Sequence, residues 1–212
     1  AGAMSSRRVG HTASLLEDGT VLVVGGQDGA IRHATVEQYT PATRGWRARA
    51  ALVEGRESHA AVVLGDGRVM VTGGVVGPNL ALARATASVV IYDPVANSWT
   101  FVADMRAARA DHAATLLADG RVLVVGGAVG QARAEVWSPM TGAWVEVLDN
   151  VTAPQLRFGG IEVVTLVTGE QLATGGDSLT PSEFMTYFRL GAASRPSLVR
   201  PAMPLASGAA AT

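Results

Sequence analysis

The stretch His11-Thr-Ala-Ser-Leu-Leu-Glu-Asp-Gly-Thr-Val-Leu-Val-Val-Gly-Gly26 indicates the fold, because the chain repeats its pattern about every 50 residues. Each copy begins with Arg-x-x-His and continues through a turn, an apolar run ending in Gly-Gly, an aromatic residue two before a proline, and a tryptophan. The fourth copy is eroded and lacks the histidine and the tryptophan. Repeats of this length predict a solenoid, an array or a propeller, because one unit cannot bury its apolar face alone.

Each complete copy predicts four antiparallel strands. In the first copy, two apolar runs flank Asp18-Gly19, which predicts a β-hairpin with a type I′ turn. A third strand contains Tyr39 and ends before Pro41, because proline cannot donate a hydrogen bond to a sheet. A fourth strand starts at Trp46, seven residues after the tyrosine, and the other two complete copies keep this spacing. Four such strands in about 50 residues are typical of a β-propeller blade.

Composition limits the class of protein. The chain has 212 residues, of which 48% are hydrophobic, so it can bury the core of one domain. The net charge is −1 and no like charges cluster, which does not support binding to nucleic acid or to an anionic membrane. The absence of cysteine excludes disulfides and thiolate metal sites. No apolar run reaches the roughly 18 residues of a membrane span.

The order of these landmarks resembles the kelch repeat over roughly residues 4 to 190, and residues 11–26 are similar to bacterial kelch proteins. The resemblance extends to the central domain of galactose oxidase. It implies an all-β, kelch-type β-propeller of about four four-stranded antiparallel blades, either incomplete or part of a larger propeller. It also implies an extracellular or cell-surface location, although the sequence itself identifies no compartment.

The repeats predict the domain organisation. We expect a propeller over residues 1–193, followed by a Pro/Ala-rich tail or linker over 194–212. Met4 precedes Arg8 by four residues, as Leu52 and Met105 precede the next two arginines, so it corresponds to the end of a preceding fourth strand. We therefore expect either a piece of a longer propeller or a degenerate four-bladed one. The predicted repeats span about residues 4–51, 52–104, 105–153 and 154–193.

The glycine pairs allow a second interpretation. Residues 122–130 read Val-Leu-Val-Val-Gly-Gly-Ala-Val-Gly, which superficially resembles a nucleotide-binding turn. That motif needs Gly-x-Gly-x-x-Gly at the start of a helix, whereas here the spacing differs and another strand follows. The pairs instead predict the end of a blade's second strand, where neighbouring backbone approaches closely.

The loops divide into two faces of the predicted propeller. The Asp-Gly hairpins and the Pro-to-Trp turns are short and lie on one side. The second-to-third loops lie on the other side, where the distance from the first glycine to the aromatic residue is 14, 19, 11 and 12 residues in the four copies. Variable loops on a rigid frame favour binding. The candidate binding face comprises residues 27–34, 75–88, 128–133 and 177–183, with the connections leading to Arg56, Arg109 and Arg157.

Eight residues are predicted to bind ligand. The arginines at the heads of the first strands lie at the mouth of the channel, and in some kelch domains the matching arginines bind acidic peptides. The resemblance therefore implies a carboxylate-binding ring, which suits the planar donors of guanidinium. The alternative is that each arginine pairs with a backbone carbonyl or an acidic neighbour, and repetition in every copy favours this alternative. The predicted ligand-binding residues are Arg8, Arg56, Arg109 and Arg157 in the ring and Asp28, Arg32, Arg84 and Asp177 in the loops.

The repeated histidines and tryptophans have structural and functional interpretations. His11, His59 and His112 are equivalent and invite a metal site, but a propeller holds repeated side chains apart in separate inter-blade layers. We expect them to form hydrogen bonds with a neighbouring blade's backbone, and we predict no metal. The tryptophans are predicted to pack between blades, with a sugar platform as the alternative. The valines of the second strands, Val23, Val71 and Val124, should be buried.

No catalytic residue or cofactor is predicted, because no Ser/His/Asp triad or carboxylate pair can be identified by spacing. The copper site of the galactose oxidase class uses a Tyr–Cys crosslink, which a chain without cysteine cannot form. The leading hypothesis is a non-catalytic module that binds a protein or peptide, with an acidic peptide as the ligand that suits the arginines. The alternatives are a carbohydrate-binding or carbohydrate-active propeller domain, and a structural part of a larger chain.

Overall fold

A computed structural model describes residues 2–29, 31–127 and 134–147, together with the backbone of three later strands. Every complete repeat forms one four-stranded antiparallel sheet. Blade 1 consists of β1 (Thr12–Leu15), β2 (Val21–Val24), β3 (Val36–Thr40) and β4 (Gly45–Arg49), paired in chain order. Blade 2 consists of β6 (Ala60–Val63), β7 (Val69–Thr72), β10 (Val89–Asp93) and β11 (Ser98–Phe101).

The later repeats continue the same pattern. Blade 3 consists of β12 (Ala113–Leu116), β13 (Val122–Val125), β14 (Glu135–Ser138) and β15 (Ala143–Glu146). The described part of blade 4 consists of β16 (Glu162–Thr165), β17 (Gln171–Thr174) and β18 (Thr186–Phe188). Antiparallel sheets of four strands confirm the predicted all-β, propeller-type architecture. The predicted tail at 194–212 lies outside the described residues.

Blade 2 carries a small second sheet that the sequence did not predict. β8 (Val75–Val76) pairs with β5 (Arg56–Glu57) and with β9 (Arg84–Ala85), inside a stretch that the sequence analysis treated as a loop. A single 3-10 turn at Leu80–Leu82 joins β8 to β9, and the Oδ1 atom of Asn79 accepts a hydrogen bond from the Leu82 N–H. The second copy has the longest such connection, which leaves room for an additional hairpin.

The Asp-Gly turns differ from the predicted type I′ geometry. That type needs positive φ at both central residues, but in the first turn Gly19 has φ 77° whereas Asp18 is not in the left-handed region. The Gly19 N–H donates to the Leu16 carbonyl at 3.0 Å, and the Leu16 N–H donates to the Thr20 carbonyl at 2.8 Å. The prediction was wrong in type: the hairpin is a three-residue loop that ends in a left-handed glycine.

The blades pack face to face around a common centre. β1 lies beside β6, β6 beside β12, and β12 beside β16, so the first strand of each blade is the innermost. One apolar cluster fills the space between blades 1 and 2, and another fills the space between blades 2 and 3. A third cluster lies on the far side of blade 3. The second-strand valines are buried as predicted: Val23, Val71 and Val124.

The first glycine of each pair admits the next blade. Gly25 has φ 65°, and a Cβ there would lie 2.5 Å from the Arg56 carbonyl oxygen and 2.9 Å from Cε1 of His59. Gly73 has φ 58° and would meet Arg109 and His112 of the following blade in the same way. The positive φ and the close contacts each exclude a side chain at these two positions. The predicted close approach of neighbouring backbone is therefore confirmed.

The aromatic residues form the outer part of each blade. The fixed spacing of seven residues arises because Tyr39 pairs across β3 and β4 with Trp46, with ring centroids 5.0 Å apart. Tyr92 and Trp99 repeat this contact at 4.9 Å. Each tryptophan donates its indole N–H to a carbonyl in the segment that enters its blade, as Trp144 does to Ala103 at 2.9 Å. These contacts agree with the packing role that was predicted for the tryptophans.

Candidate functional site

The three described ring arginines occupy equivalent buried positions. In each blade, Nη1 donates to the carbonyl of the glycine that lies 17 residues later in the chain. This bond holds each guanidinium against its own blade. The donor–acceptor pairs are Arg8 with Gly25 at 2.9 Å, Arg56 with Gly73 at 2.9 Å, and Arg109 with Gly126 at 2.7 Å. The fourth ring arginine, Arg157, lies outside the described residues, as does Asp177.

A glutamate on the third strand completes this site in blades 1 and 3. Nη2 of Arg8 donates to Oε1 of Glu37 at 2.6 Å, and both side chains are buried. Arg109 reaches Glu135 with Nη2 at 2.9 Å, and both of these side chains are almost fully enclosed. Charge-assisted contacts of this kind offset the cost of burying an arginine.

The same glutamates fix the backbone that enters the blade. Oε2 of Glu37 accepts the Ser5 N–H at 2.9 Å, and Oε2 of Glu135 accepts the Arg106 N–H at 2.6 Å. Each donor lies three residues before the ring arginine of its blade. One carboxylate therefore holds both the guanidinium and the connection that leads to it.

Blade 2 departs from this arrangement. The position two residues before the aromatic residue, which holds glutamate in the other two blades, is Val90. Nη2 of Arg56 donates to Oγ of Ser88 at 3.1 Å, as Nη2 of Arg8 donates to Oγ1 of Thr35, but Arg56 has no carboxylate partner among the described residues. Nε of Arg56, like Nε of Arg8, is buried without a hydrogen-bond partner. Burial lowers the pKa of the Arg56 guanidinium below its ordinary value. In the entering segment Leu52 is buried, while Val53 is 82% exposed.

The repeated histidines lie in separate inter-blade layers. Nε2 of His59 is 2.8 Å from Oγ1 of Thr12 in blade 1, and Nε2 of His112 is 2.8 Å from Oγ1 of Thr72 in blade 2. Burial, reinforced by the charge of a neighbouring ring arginine, lowers the pKa of each of these two histidines to about 3. Both are therefore neutral. The sequence predicted a hydrogen bond to the backbone of a neighbouring blade. The observed partner is instead a threonine hydroxyl of the preceding blade.

Arg32 joins the variable loops of blades 1 and 2. Its Nε donates to Oε1 of Glu57 at 2.9 Å, and its Nη1 donates to the carbonyls of Gly77 and Asn79 at 3.3 Å. The side chain is only 8% exposed. Arg32, which was predicted to bind ligand, thus holds two loops of the candidate face together.

The other loop charges lie nearer the surface. Oδ1 of Asp28 accepts the Ile31 N–H at 3.1 Å, and its Oδ2 lies 3.7 Å from Nε2 of His33. Arg84 on β9 extends beside Glu54, with 3.8 Å between Nη2 and Oε1, and its side chain is 64% exposed. Of the predicted loop residues that the structure describes, Arg84 presents the most accessible charge.

The loop face of blades 1 and 2 also carries exposed aliphatic side chains. Ile31 is 60% exposed beside Arg32, whose Nη1 contacts the Asn79 carbonyl directly before Leu80. Leu80 is 86% exposed. Exposed apolar residues gathered on fixed loops indicate an interaction surface. We call these residues the aliphatic cluster: Ile31, Val53, Leu80 and Leu82.

Neither this cluster nor the pair of buried glutamates was predicted from the sequence. The glutamates could have been identified, because Glu37 and Glu135 both stand two residues before the aromatic landmark. The aliphatic cluster has no such signal, since its members are single apolar residues in loops of different length. The positions of its members depend on the 3-10 turn and on the contacts of Arg32 with blade 2, which form only in the folded chain.

Comparisons with known proteins support this architecture. Residues 58–106 match the kelch motif, a span that runs from the end of β5 through blade 2. Among solved structures, the chain is similar to a fungal alcohol oxidase of the AA5 family in complex with copper, with a TM-score of 0.67 and 18% identity. The match covers 91% of this chain and 41% of that oxidase, so the chain spans less than half of its length. No curated protein matches the chain by sequence.

The oxidase binds copper, but the described residues of this chain do not fit such a site. Within 2–29, 31–127 and 134–147, no three histidine, aspartate or glutamate side chains converge on a common point. His59 and His112 lie in different inter-blade layers, where each contacts a threonine. In the same described part, no helix is long and apolar enough to cross a membrane.

Proposed function

We propose that this chain, which carries a kelch motif and propeller-type blades, is a non-catalytic module. It binds a protein or peptide through its variable-loop face. The observation that carries this proposal is the aliphatic cluster, which gathers on the loops of blades 1 and 2. Single exposed apolar residues are common on protein surfaces, but several on adjoining loops are typical of an interaction site.

The loops that bear the cluster are held in place before any partner binds. Arg32 bonds to three groups of blade 2, and β5, β8 and β9 form a sheet beneath the 3-10 turn. A preorganised surface loses little conformational entropy on binding, and this favours affinity. The short turns of the opposite face carry one exposed apolar residue each in blades 2 and 3, Val95 and Met140, at equivalent positions.

The charges near the cluster suggest the chemistry of the partner. Arg84 lies on β9, two residues after Leu82, and is largely exposed, so an acidic side chain of a bound peptide can reach it. Arg8 and Arg109 already contact internal glutamates, whereas Arg56 forms no carboxylate pair among the described residues. Arg56 is nevertheless only 2% exposed, so we propose the exposed Arg84 as the residue that would meet a ligand carboxylate. The expected ligand combines apolar side chains with a carboxylate.

A peptide-display selection against the full chain, followed by calorimetric titration of a selected peptide, tests this proposal. We expect the double variant Leu80→Asp and Leu82→Asp to weaken binding at least tenfold, because it places charges in an apolar contact. Val95→Asp on the opposite face is the control and should leave Kd unchanged. Equal affinity of the double variant and the control would contradict the proposal, as would binding on a glycan array with no selectable peptide.

The role of the charge needs a separate variant. We expect Arg84→Ala to weaken the binding of an acidic peptide about two- to fivefold, in the range of an exposed ion pair. A peptide with its acidic residue replaced by the amide should be unaffected. Arg68→Ala is the control, because this arginine is also exposed and pairs with a neighbouring aspartate on the opposite face. If both arginine variants weaken both peptides alike, the carboxylate contact is wrong although the apolar contact can stand.

A further inference from the structure

The segments that enter blades 2 and 3 have the same length and the same anchors. Each begins four residues before the ring arginine and ends at that arginine. At both ends a backbone N–H donates to a carbonyl in the connection that leads to the third strand of the preceding blade. The amides between the two anchors therefore take equivalent positions in the two blades. The anchoring pairs are Leu52 with Ala34 and Arg56 with His33 for blade 2, and Met105 with Ala87 and Arg109 with Thr86 for blade 3.

In blade 3 these amides converge on a carboxylate. Oε2 of Glu135 accepts the Arg106 N–H at 2.6 Å, and Oε1 of the same side chain accepts the Ala107 N–H at 3.2 Å. This Oε1 also accepts hydrogen bonds from Nε and Nη2 of Arg109, at 3.2 and 2.9 Å. Two successive amides and one guanidinium therefore surround a single negative group, as in other anion-binding backbone turns.

Blade 2 keeps these donors but not the carboxylate. Val53 and Glu54 supply the two amides, and neither N–H donates to any residue that the structure describes. Nε of Arg56 is buried without a hydrogen-bond partner. Val90 stands where Glu135 stands in blade 3, and a valine side chain is too short to place an atom where the glutamate oxygens lie. The donors of blade 2 therefore form the same set around no side-chain acceptor.

The guanidinium of Arg56 needs a negative partner. It is only 2% exposed, and it remains charged because arginine keeps its proton in proteins. Burial lowers the pKa of Arg56, and the charges of Glu54 and Asp104 oppose this shift from a distance. Neither carboxylate forms an ion pair with Arg56 in the described part of the chain. A buried charge without a partner has lost its hydration without compensation, which is unfavourable.

We propose that blade 2 binds a small monovalent anion, held by the backbone N–H groups of Val53 and Glu54 and by the side chain of Arg56. We call these three residues the anion site. The ion takes the place that the Glu135 carboxylate has in blade 3. Chloride and formate belong to this class, because each carries one charge and accepts several N–H donors. The burial of Arg56 disfavours a larger ligand, whereas an ion can enter beside Val53, which is 82% exposed.

Urea melts of the full chain at constant ionic strength test the proposal, with chloride replaced in steps by the larger anion gluconate. Above the dissociation constant of the ion, a tenfold rise in chloride should raise the folding equilibrium constant about tenfold, because the ion binds only the folded chain. Val90→Glu supplies an internal carboxylate and should remove this dependence. Val95→Glu adds the same charge at a residue that is 95% exposed on the opposite face, and should keep it. Equal wild-type melts in both anions, or a dependence that survives Val90→Glu, would overturn the proposal.

The reverse exchange in blade 3 is an independent test. Glu135→Val gives blade 3 the residue that blade 2 has, and it leaves the donors of Arg106, Ala107 and Arg109 without their carboxylate. This variant then has two anion sites, so a tenfold rise in formate should raise its folding equilibrium constant about a hundredfold, against about tenfold for the wild type. Equal responses of the two proteins would contradict the assignment of the donor set.

Crystals of the wild-type chain soaked in bromide locate the ion directly. We expect an anomalous peak in contact with Nε of Arg56 and the N–H of Val53, and we expect this peak to be absent in Val90→Glu. Bromide bound only at other places would overturn the proposal.

Calorimetric titration of a selected peptide separates a free ion from a peptide carboxylate. The affinity should be the same in chloride and in gluconate at equal ionic strength, because the anion site is separate from the peptide contacts. A loss of affinity in chloride that disappears in Val90→Glu would show that the peptide occupies the site, and it would contradict binding of a free ion.

Discussion

Blades 1 and 3 bury their ring arginine beside a glutamate, whereas blade 2 buries its arginine beside a serine. The glutamates Glu37 and Glu135 also bind the backbone that enters each blade. In blade 2 that segment is free of such a clamp, and Val53 within it is exposed next to the additional sheet. The three blades therefore share the same four-stranded frame. Blade 2, which carries the additional sheet β5–β8–β9 on its loop face, lacks the arginine–glutamate pair of the other two blades.

The largest effect on the free energy of unfolding is expected when a glutamate is removed. We expect Glu135→Ala to lower the free energy of unfolding by about 3–5 kcal/mol, because Arg109 then keeps a buried charge without its carboxylate. Ser88→Ala in blade 2 removes one hydrogen bond to Arg56 and should cost about 1.5–3 kcal/mol. Denaturant melts measure both. Equal losses would show that the glutamate is no more than another hydrogen-bond acceptor.

The arginines provide the reciprocal test. Arg109→Met leaves Glu135 buried and unpaired, so we expect a loss of about 3–5 kcal/mol in the free energy of unfolding. Arg56→Met leaves no carboxylate behind and should cost about 1.5–3 kcal/mol, which is the range for hydrogen bonds to a charged group. Thermal and denaturant unfolding of the two variants compare them directly. A larger loss for Arg56→Met would contradict the described difference between the blades.

The histidines extend the comparison to pH. His59 and His112 have pKa values of about 3 in the folded chain and an ordinary value near 6.5, so the unfolded chain binds protons first as pH falls. Their contribution to stability is complete above pH 6.5 and is lost progressively below it, at about 1.4 kcal/mol per pH unit for each histidine. Urea melts between pH 7 and 5 measure this slope. His112→Gln should reduce it, and an unchanged slope would show that His112 is not responsible.

The smallest expected effect concerns the threonines that contact these histidines. Thr72 is fully buried, and Thr72→Val should cost about 1 kcal/mol by removing the hydrogen bond to His112. Thr12 is half-buried, so water can replace its hydroxyl and Thr12→Val should cost less. Chemical denaturation of both variants separates the two values. A greater loss at residue 12 would reverse the expected order.

The repeat landmarks predicted the blades because each acts locally. The spacing of Tyr39 and Trp46 follows from one cross-strand pair, and Pro41 ends a strand by its own chemistry. The turn type was predicted wrongly at Asp18-Gly19, since a three-residue loop and a two-residue loop can share the same two letters. Local rules thus located the turn but not its geometry.

The candidate site was less predictable because it depends on contacts between repeats. From the sequence, Arg56 and Arg109 have the same predicted role in the ring. They differ in their hydrogen-bond partners, because the third strand carries Val90 in blade 2 and Glu135 in blade 3. The small sheet around β8 forms by strand pairing across a long loop. The spacing of hydrophobic residues in the sequence does not predict such pairing. Arg32 was expected to face a ligand, but it joins two loops through contacts that only the folded chain creates.

Hydrogen–deuterium exchange with a selected peptide locates the partner on the folded chain. We expect slowed exchange on binding at residues 27–34, 52–57 and 75–86, which carry the aliphatic cluster and the segment before Arg56. The Pro-to-Trp turns on the opposite face should exchange as they do in the free chain. Protection confined to those turns, at residues 41–44 and 94–97, would contradict the assignment of the binding face.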